Sequence, residues 1–104
     1  MSKKLKVAVV GGAGHIGLPL SCFISSKNHD VVIVDNDKFV LEKLNNDILP
    51  FFEEGLDDYL KLAKKNNLQL SDNLNVVKGC NLIIVTLGTS SEDKEVKKFN
   101  SLIE

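Results

Sequence analysis

The chain has 104 residues, the size of one domain, and its 43% hydrophobic and 26% charged residues exclude a disordered segment. Its 13 Lys and Arg against 14 Asp and Glu leave a net charge of −1, without the concentrated positive footprint of a nucleic-acid binder. No apolar run approaches the roughly 20 residues of a membrane-crossing helix. The start, Met1-Ser2-Lys3-Lys4, runs into a strand-like stretch and not into a cleavable apolar segment. Cys22 and Cys80 lie far apart and form no CxxC pair, so no Cys/His metal site is expected. A cytoplasmic protein with reduced thiols is the expectation.

Short apolar runs alternate with helical periods, which predicts an α/β domain around a parallel sheet. Leu5–Val10 is a first strand, and a glycine cluster follows at 11–17. Ile16, Leu20, Phe23, Ile24 and Lys27 share helical spacing and predict an apolar stripe facing the sheet, with Pro19 tolerated in the first turn. Asn28-His29-Asp30 breaks that helix, and His29 reads as a solvated turn residue. Val31–Val34 is a second strand, β-branched enough to be buried on both faces. Asp35-Asn36-Asp37 ends it and can cap a helix over about 38–46. The 47–55 segment is irregular. A helix marked by Leu56, Leu60 and Ala63 then runs into Lys64-Lys65; with Lys61 these lysines read as a solvated face. Leu68–Leu70 is a short third strand, Leu82–Leu87 another of the buried type, and 92–103 a final helix. The expected fold is a Rossmann-type parallel sheet of order 3-2-1-4 with helices on both faces.

The chemistry concentrates in the glycine cluster. Gly12-Ala13-Gly14-His15-Ile16-Gly17 fits GxGxxG, and it follows a strand, opens a helix and precedes a second strand ending in an acid. Gly12 would permit the tight turn, Gly14 the close approach of a pyrophosphate, and Gly17 the packing of helix on strand. The phosphates would meet free N–H groups at the positive end of the helix dipole. Asp35 comes 18 residues after Gly17, near the spacing of an acid that binds the adenosine ribose hydroxyls. Its charge would repel a 2′-phosphate, so NAD is favoured over NADP. The competing role for Asp35 is to cap the following helix. His15 is expected to pack beside the pyrophosphate and not to act as a catalytic base. Cys22 is expected to pack in its helix, and neither cysteine has a setting that makes a reactive thiolate.

Together these segments resemble the NAD-binding domain of the UDP-glucose/GDP-mannose dehydrogenase family. KVAVVGGAGHIGLPLS at 6–21 is similar to its strand, glycine loop and first helix turn, including Gly-Leu-Pro-Leu. VDND at 34–37, LNND at 44–47, PFFEEGLDDYL at 50–60 and LSDNLNVVKGCNLIIVTLGTS at 70–90 resemble further family segments in order. The resemblance implies an NAD-dependent oxidoreductase that converts the C6 alcohol of a nucleotide sugar to a carboxylate through a cysteine thiohemiacetal. It implies NAD contacts from Gly12, Gly14, Ile16 and Asp35, and from Thr89 in the loop after the later strand; His15 joins the cofactor-binding residues from its place in the glycine loop. Glu53 would be a structural anchor of the 47–55 segment. Val40 stands where the family usually has Lys or Arg, and Ser90 where it has Pro. The catalytic cysteine and sugar-binding parts have no counterpart, which implies a truncated domain, inactive alone, that meets its nucleotide sugar through other parts. The 82–87 strand, at an edge of this half-fold, would favour self-association. Two alternatives are a non-catalytic nucleotide-binding or scaffold module and a fragment of another β-hydroxyacid-type dehydrogenase, against which the 50–60 segment speaks.

Overall fold

The protein is described by a computed structural model over residues 3–86. In chain order the elements are β1 (Lys6–Val10), α1 (Gly17–Ser26), β2 (Asp30–Val34), α2 (Lys38–Asn45) and α3 (Leu56–Asn66). They continue with β3 (Leu68–Ser71), a 3-10 helix (Leu74–Gly79) and β4 (Leu82–Val85). The four strands form one parallel sheet in the order β3-β2-β1-β4, as the alternation of apolar runs predicts. The register pairs Val9 with Ile33 on one side and with Ile84 on the other. Thr89, Ser90 and the 92–103 helix expected from sequence lie outside the described residues.

Alternation along the strands divides the core in two. Val7, Val9, Val31 and Ile33 face one side, where they pack with Leu18 and Cys22 of α1, Leu41 and Leu44 of α2, and Leu56, Leu60 and Ala63 of α3. Ala8, Val10, Val32 and Val34 face the other side and pack with Val77 of the 3-10 helix. Continuous apolar strand sequences follow, because both faces exclude water. The helices are shared unequally. All three α-helices cover one face, and among the described residues the opposite face carries only the six-residue 3-10 helix. That helix had no signal in the apolar pattern; its start is fixed by the Asn73 side chain, which accepts the Asn75 N–H. β4 is less enclosed than its sequence suggests: Ile83 and Ile84 are half-buried, and Leu82 and Val85 are exposed.

The apolar stripe expected on α1 is corrected by the structure. Ile16 is 73% and Phe23 58% exposed, and the buried face is Gly17, Leu18, Ser21, Cys22 and Ser25. Small side chains on that face, beside Leu18, let the helix lie close to the sheet. The buried hydroxyls are satisfied. Ser21 Oγ donates to the Gly17 carbonyl, 2.6 Å away, and Ser25 Oγ donates to Asn67 Oδ1, while Asn67 Nδ2 returns a bond to the Ser25 carbonyl.

Two further sequence expectations change. His29 is half-buried, and its Nδ1 accepts the Leu5 N–H at 3.0 Å, so it joins the start of β1 to the α1–β2 turn. Lys64 is not part of a solvated face. Its ammonium donates to the carbonyls of Leu44 (2.7 Å) and Asn45 (2.9 Å) and to Asp47 Oδ1 (2.8 Å). A cation there joins the Asp47 N–H on the Leu44 carbonyl, adds a partner for that of Asn45, and complements the C-terminal end of the α2 dipole.

Candidate functional site

The site forms where β1 runs into α1, at the carboxyl ends of the strands. Gly11 makes the turn. It has φ +78°, and a Cβ there would lie 1.9 Å from the Thr86 carbonyl oxygen. Both facts demand glycine. The sequence reading assigned this turn to Gly12, whose φ is negative; Gly12 is required instead because a Cβ would come within 2.7 Å of the Val9 carbonyl oxygen and 2.9 Å of Ile33. The doubled glycine at 11–12 was the available signal. At Gly17 a Cβ would meet the Gly12 Cα at 2.6 Å and the Gly11 carbonyl oxygen at 2.7 Å, so the helix start is pressed onto the turn, as expected.

Gly14 differs from these three. Among the described residues, a Cβ there would meet nothing nearer than the Gly11 carbonyl oxygen at 3.6 Å. Its lack of a side chain answers no packing need of the described residues and leaves open space beside them over the loop. Gly14, His15 and Ile16 are consecutive exposed residues. The Gly14 carbonyl accepts the Leu18 N–H at 3.0 Å and the Ile16 carbonyl accepts the Leu20 N–H, while the N–H groups of His15 and Ile16 bond to none of the described residues. They occupy the first-turn end of α1, where an anion gains from the helix dipole.

Asp35 comes to the same place from the end of β2. Its Oδ2 accepts the Ala13 N–H at 3.3 Å, and its Oδ1 accepts the Asp37 N–H at 3.0 Å. Asp37, not Asp35, caps α2, by accepting the Val40 N–H at 3.1 Å. The competing role considered for Asp35 is thereby taken by its neighbour. A carboxylate has about four acceptor positions, so with two in use Asp35 can still accept from two hydroxyls. It lines a small cleft of about 50 Å³ with Val10, Gly11, Val34, Asn36, Asp72 and Leu74. A larger cleft of about 320 Å³ lies at the opposite ends of the strands, beside Lys6, Asp30 and Asn67. Ligands of open parallel sheets bind at the carboxyl ends of the strands, which selects the smaller cleft.

The surroundings define the site's charge and chemistry. Val40 packs against the hydrophobic core, so its position offers no cation. Lys38 stands by the cleft with its ammonium 3.7 Å from Asp72 Oδ2. Thr86 was missed by the sequence reading, which looked to Thr89. The Thr86 N–H donates to the Val10 carbonyl, and its hydroxyl lies 3.1 Å from the Val10 and 3.0 Å from the Gly11 carbonyl oxygens. A polar residue closing an otherwise apolar strand was its signal. Thr89 itself lies outside the described residues.

The 47–55 segment reaches this loop as well. The rings of His15 and Phe51 are stacked, with centroids 4.1 Å apart and planes 17° from parallel. Glu53 does not anchor the segment through its side chain, which is exposed; its carbonyl accepts the Leu56 N–H instead. Anchoring comes from Lys64 on Asp47, the Ile48 N–H on the Lys43 carbonyl, and Leu49 and Phe51 against the core.

Neither cysteine is set up as a reactive thiolate. Burial pushes the Cys22 thiol up to about 11, and burial raises that of Cys80 as well, with Lys6 pulling the other way. No group of three or more His, Cys, Asp or Glu among the described residues could hold a metal ion, and no described helix is long and apolar enough to cross a membrane.

The sequence matches the model of the UDP-glucose/GDP-mannose dehydrogenase family, NAD binding domain, over residues 5–102. It is 36% identical to a UDP-glucose 6-dehydrogenase of Rickettsia felis over 84 residues, 79% of this chain and 19% of that one. It is 32% identical to the UDP-glucose 6-dehydrogenase of Drosophila melanogaster over 91 residues, 85% of this chain and 19% of that one. The chain thus spans about a fifth of the length of these relatives. Among solved structures, the fold is similar to a UDP-D-ManNAc dehydrogenase from Pyrococcus horikoshii, with a TM-score of 0.79 and 26% identity over 93% of this chain and 25% of that one. It is also similar to GDP-mannose dehydrogenase from Pseudomonas aeruginosa, with a TM-score of 0.75 and 19% identity over 92% of this chain and 23% of that one. The chain belongs to the UDP-glucose/GDP-mannose dehydrogenase family, and residues 5–102 correspond to its NAD-binding domain.

Proposed function

We propose that this chain is the cofactor-holding part of a nucleotide-sugar 6-dehydrogenase and that it holds NAD over the glycine loop. Gly12, Gly14, His15 and Ile16 surround the pyrophosphate in this reading, and Asp35 takes the adenosine ribose hydroxyls. Thr89 is assigned a contact from the loop after β4. The single observation that carries the reading is the Asp35 carboxylate, held by the Ala13 N–H beside the loop with acceptor positions left over. The open space at Gly14 and the N–H groups of His15 and Ile16 fit a phosphate there.

When bound, NAD supplies the hydride acceptor for oxidation of an alcohol. This chain's residues bind and orient the cofactor; the thiol chemistry and sugar recognition come from further parts of the enzyme. Residues 1–104 act as one domain in this proposal and are inactive without those parts. The free thiols Cys22 and Cys80 fit a reducing, cytoplasmic setting. β4, with Leu82 and Val85 exposed, favours pairing with another strand, including that of a second copy. A single monomeric elution volume across a concentration series would overturn self-association.

The test is a calorimetric titration of the chain with NAD, repeated with NADP and on Asp35→Ala. NAD is expected to bind saturably and more tightly than NADP. Loss of the charged acceptor should weaken NAD by about tenfold or more. Equal affinity for both cofactors, or an unchanged Asp35→Ala variant, would overturn the assignment of Asp35.

A further inference from the structure

We propose that Phe51 is a positioning residue for the dinucleotide loop: its stack on His15 fixes the exposed crest at 14–16 against which the cofactor phosphates lie. The inference rests on the NAD reading above and extends it to a residue that touches no cofactor in that reading.

Three observations converge. First, the crest is tied by backbone hydrogen bonds at Gly14 and Ile16, but its side chains are little buried. Gly14, His15 and Ile16 are all exposed, and Ile16 is 73% so. Gly14 has no side chain, so packing by this stretch falls to its neighbours. Second, His15 sits at the middle of the crest and lies flat on the Phe51 ring, with the centroids 4.1 Å apart. Third, Phe51 is itself held. Its partly buried side chain packs against the main hydrophobic cluster, while the adjacent Phe52 is 93% exposed. The segment is tied at its start by Lys64 on Asp47 and by the Ile48 N–H on the Lys43 carbonyl, and at its end by the left-handed Gly55 that opens α3. Phe51 therefore presents a fixed aromatic face, and the His15 ring is placed by a surface that does not belong to its own loop.

A fixed crest presents its N–H groups in one arrangement, and cofactor binding then loses less conformational freedom than it would on a mobile loop. The consequence is specific. Removing the aromatic face while keeping an apolar side chain against the core should weaken NAD without unfolding the chain. An aromatic pair of this kind corresponds to about a two- to tenfold change in affinity.

The experiment titrates NAD into the wild-type chain, Phe51→Leu, Phe51→Tyr, His15→Ala and the double variant His15→Ala/Phe51→Leu, with thermal melts of each. Phe51→Leu is expected to weaken NAD by about two- to tenfold, Phe51→Tyr to restore wild-type affinity, and the double variant to bind no more weakly than His15→Ala alone. A residue that serves the core alone would move the melting temperature and leave the NAD affinity unchanged, with no coupling to His15 in the double variant. Wild-type affinity in Phe51→Leu, or strictly additive effects, would overturn the proposal while leaving the NAD reading intact. Failure of the wild-type chain to bind NAD would overturn that reading, and this proposal with it.

Discussion

The Lys64 ammonium lies 2.7 Å from the carbonyl oxygen of Leu44, so a side chain of α3 closes the end of α2. The same ammonium reaches Asn45 and Asp47, which makes one lysine the junction of α2, α3 and the segment that carries Phe51. Lys64→Met keeps the aliphatic stem and removes all three bonds. It should cost about 1–3 kcal/mol. The check is urea denaturation, with a lower midpoint and an unchanged slope; an unchanged midpoint would mean that water replaces the ammonium without loss.

Gly17 and Gly14 should respond differently to the same change. Gly17→Ala sets a methyl group 2.6 Å from the Gly12 Cα and 2.7 Å from the Gly11 carbonyl oxygen, both backbone atoms. Overpacking should destabilise the chain by about 1–3 kcal/mol. Gly14→Ala meets only a 3.6 Å contact and should change stability by less than about 1 kcal/mol. It should nevertheless weaken NAD about tenfold, because the methyl occupies the space assigned to the phosphates. Melting curves and NAD titrations of both variants separate the structural glycine from the binding one.

Asp35→Asn tests charge separately from shape. The amide oxygen can keep one backbone N–H bond, but the second acceptor oxygen becomes a donor that opposes the Ala13 or Asp37 N–H. Stability is expected to fall by about 1 kcal/mol. Preference for NAD over NADP should narrow, because the charge that repels a 2′-phosphate is gone. The ratio of the two dissociation constants is the readout, and an unchanged ratio would remove charge from the account of selectivity.

Cys22 links stability to alkaline pH. Burial raises its thiol from 9.0 in the unfolded chain to about 11 in the fold. Below pH 9 the thiol is protonated in both states and its contribution is constant. From pH 9 to about 11 the unfolded chain loses the proton first, so stability falls with rising pH through that window. Cys22→Ala should flatten this part of the stability–pH curve, measured by denaturant titration at pH 8, 9.5 and 10.5. The same burial predicts that a disulfide exchange reagent at pH 8 modifies the half-buried Cys80 faster than Cys22.

Strand order and glycine loop were legible because each rests on a pattern within a few consecutive residues. The β-branched run at 31–34 and the placement of Gly12, Gly14 and Gly17 between strand and helix are local signals. What sequence spacing missed depends on distance across the fold. Phe23 follows helical periodicity, yet Ser21 and Ser25 are buried in its place, because the closeness of α1 to the sheet is a tertiary property. Lys64 looks like any surface lysine until α2 is seen to end 2.7 Å from its ammonium. His15 was expected beside the phosphates, and its partner Phe51, 36 residues further along the chain, had no sequence signature of contact with it.

The Thr86 hydroxyl bonds to Gly11, 75 residues earlier in the chain. The glycine loop is thus completed by a segment that is synthesised well after it. At translation rates of about 5–20 residues per second, roughly 4–15 s separate the two. Over that interval the nascent loop lacks the carbonyl-capping hydroxyl and the β4 strand that brackets it. The contact is among the most non-local in the fold, and contacts of that kind slow folding. The loop therefore reaches its final form only once the sheet has closed between β1 and β4.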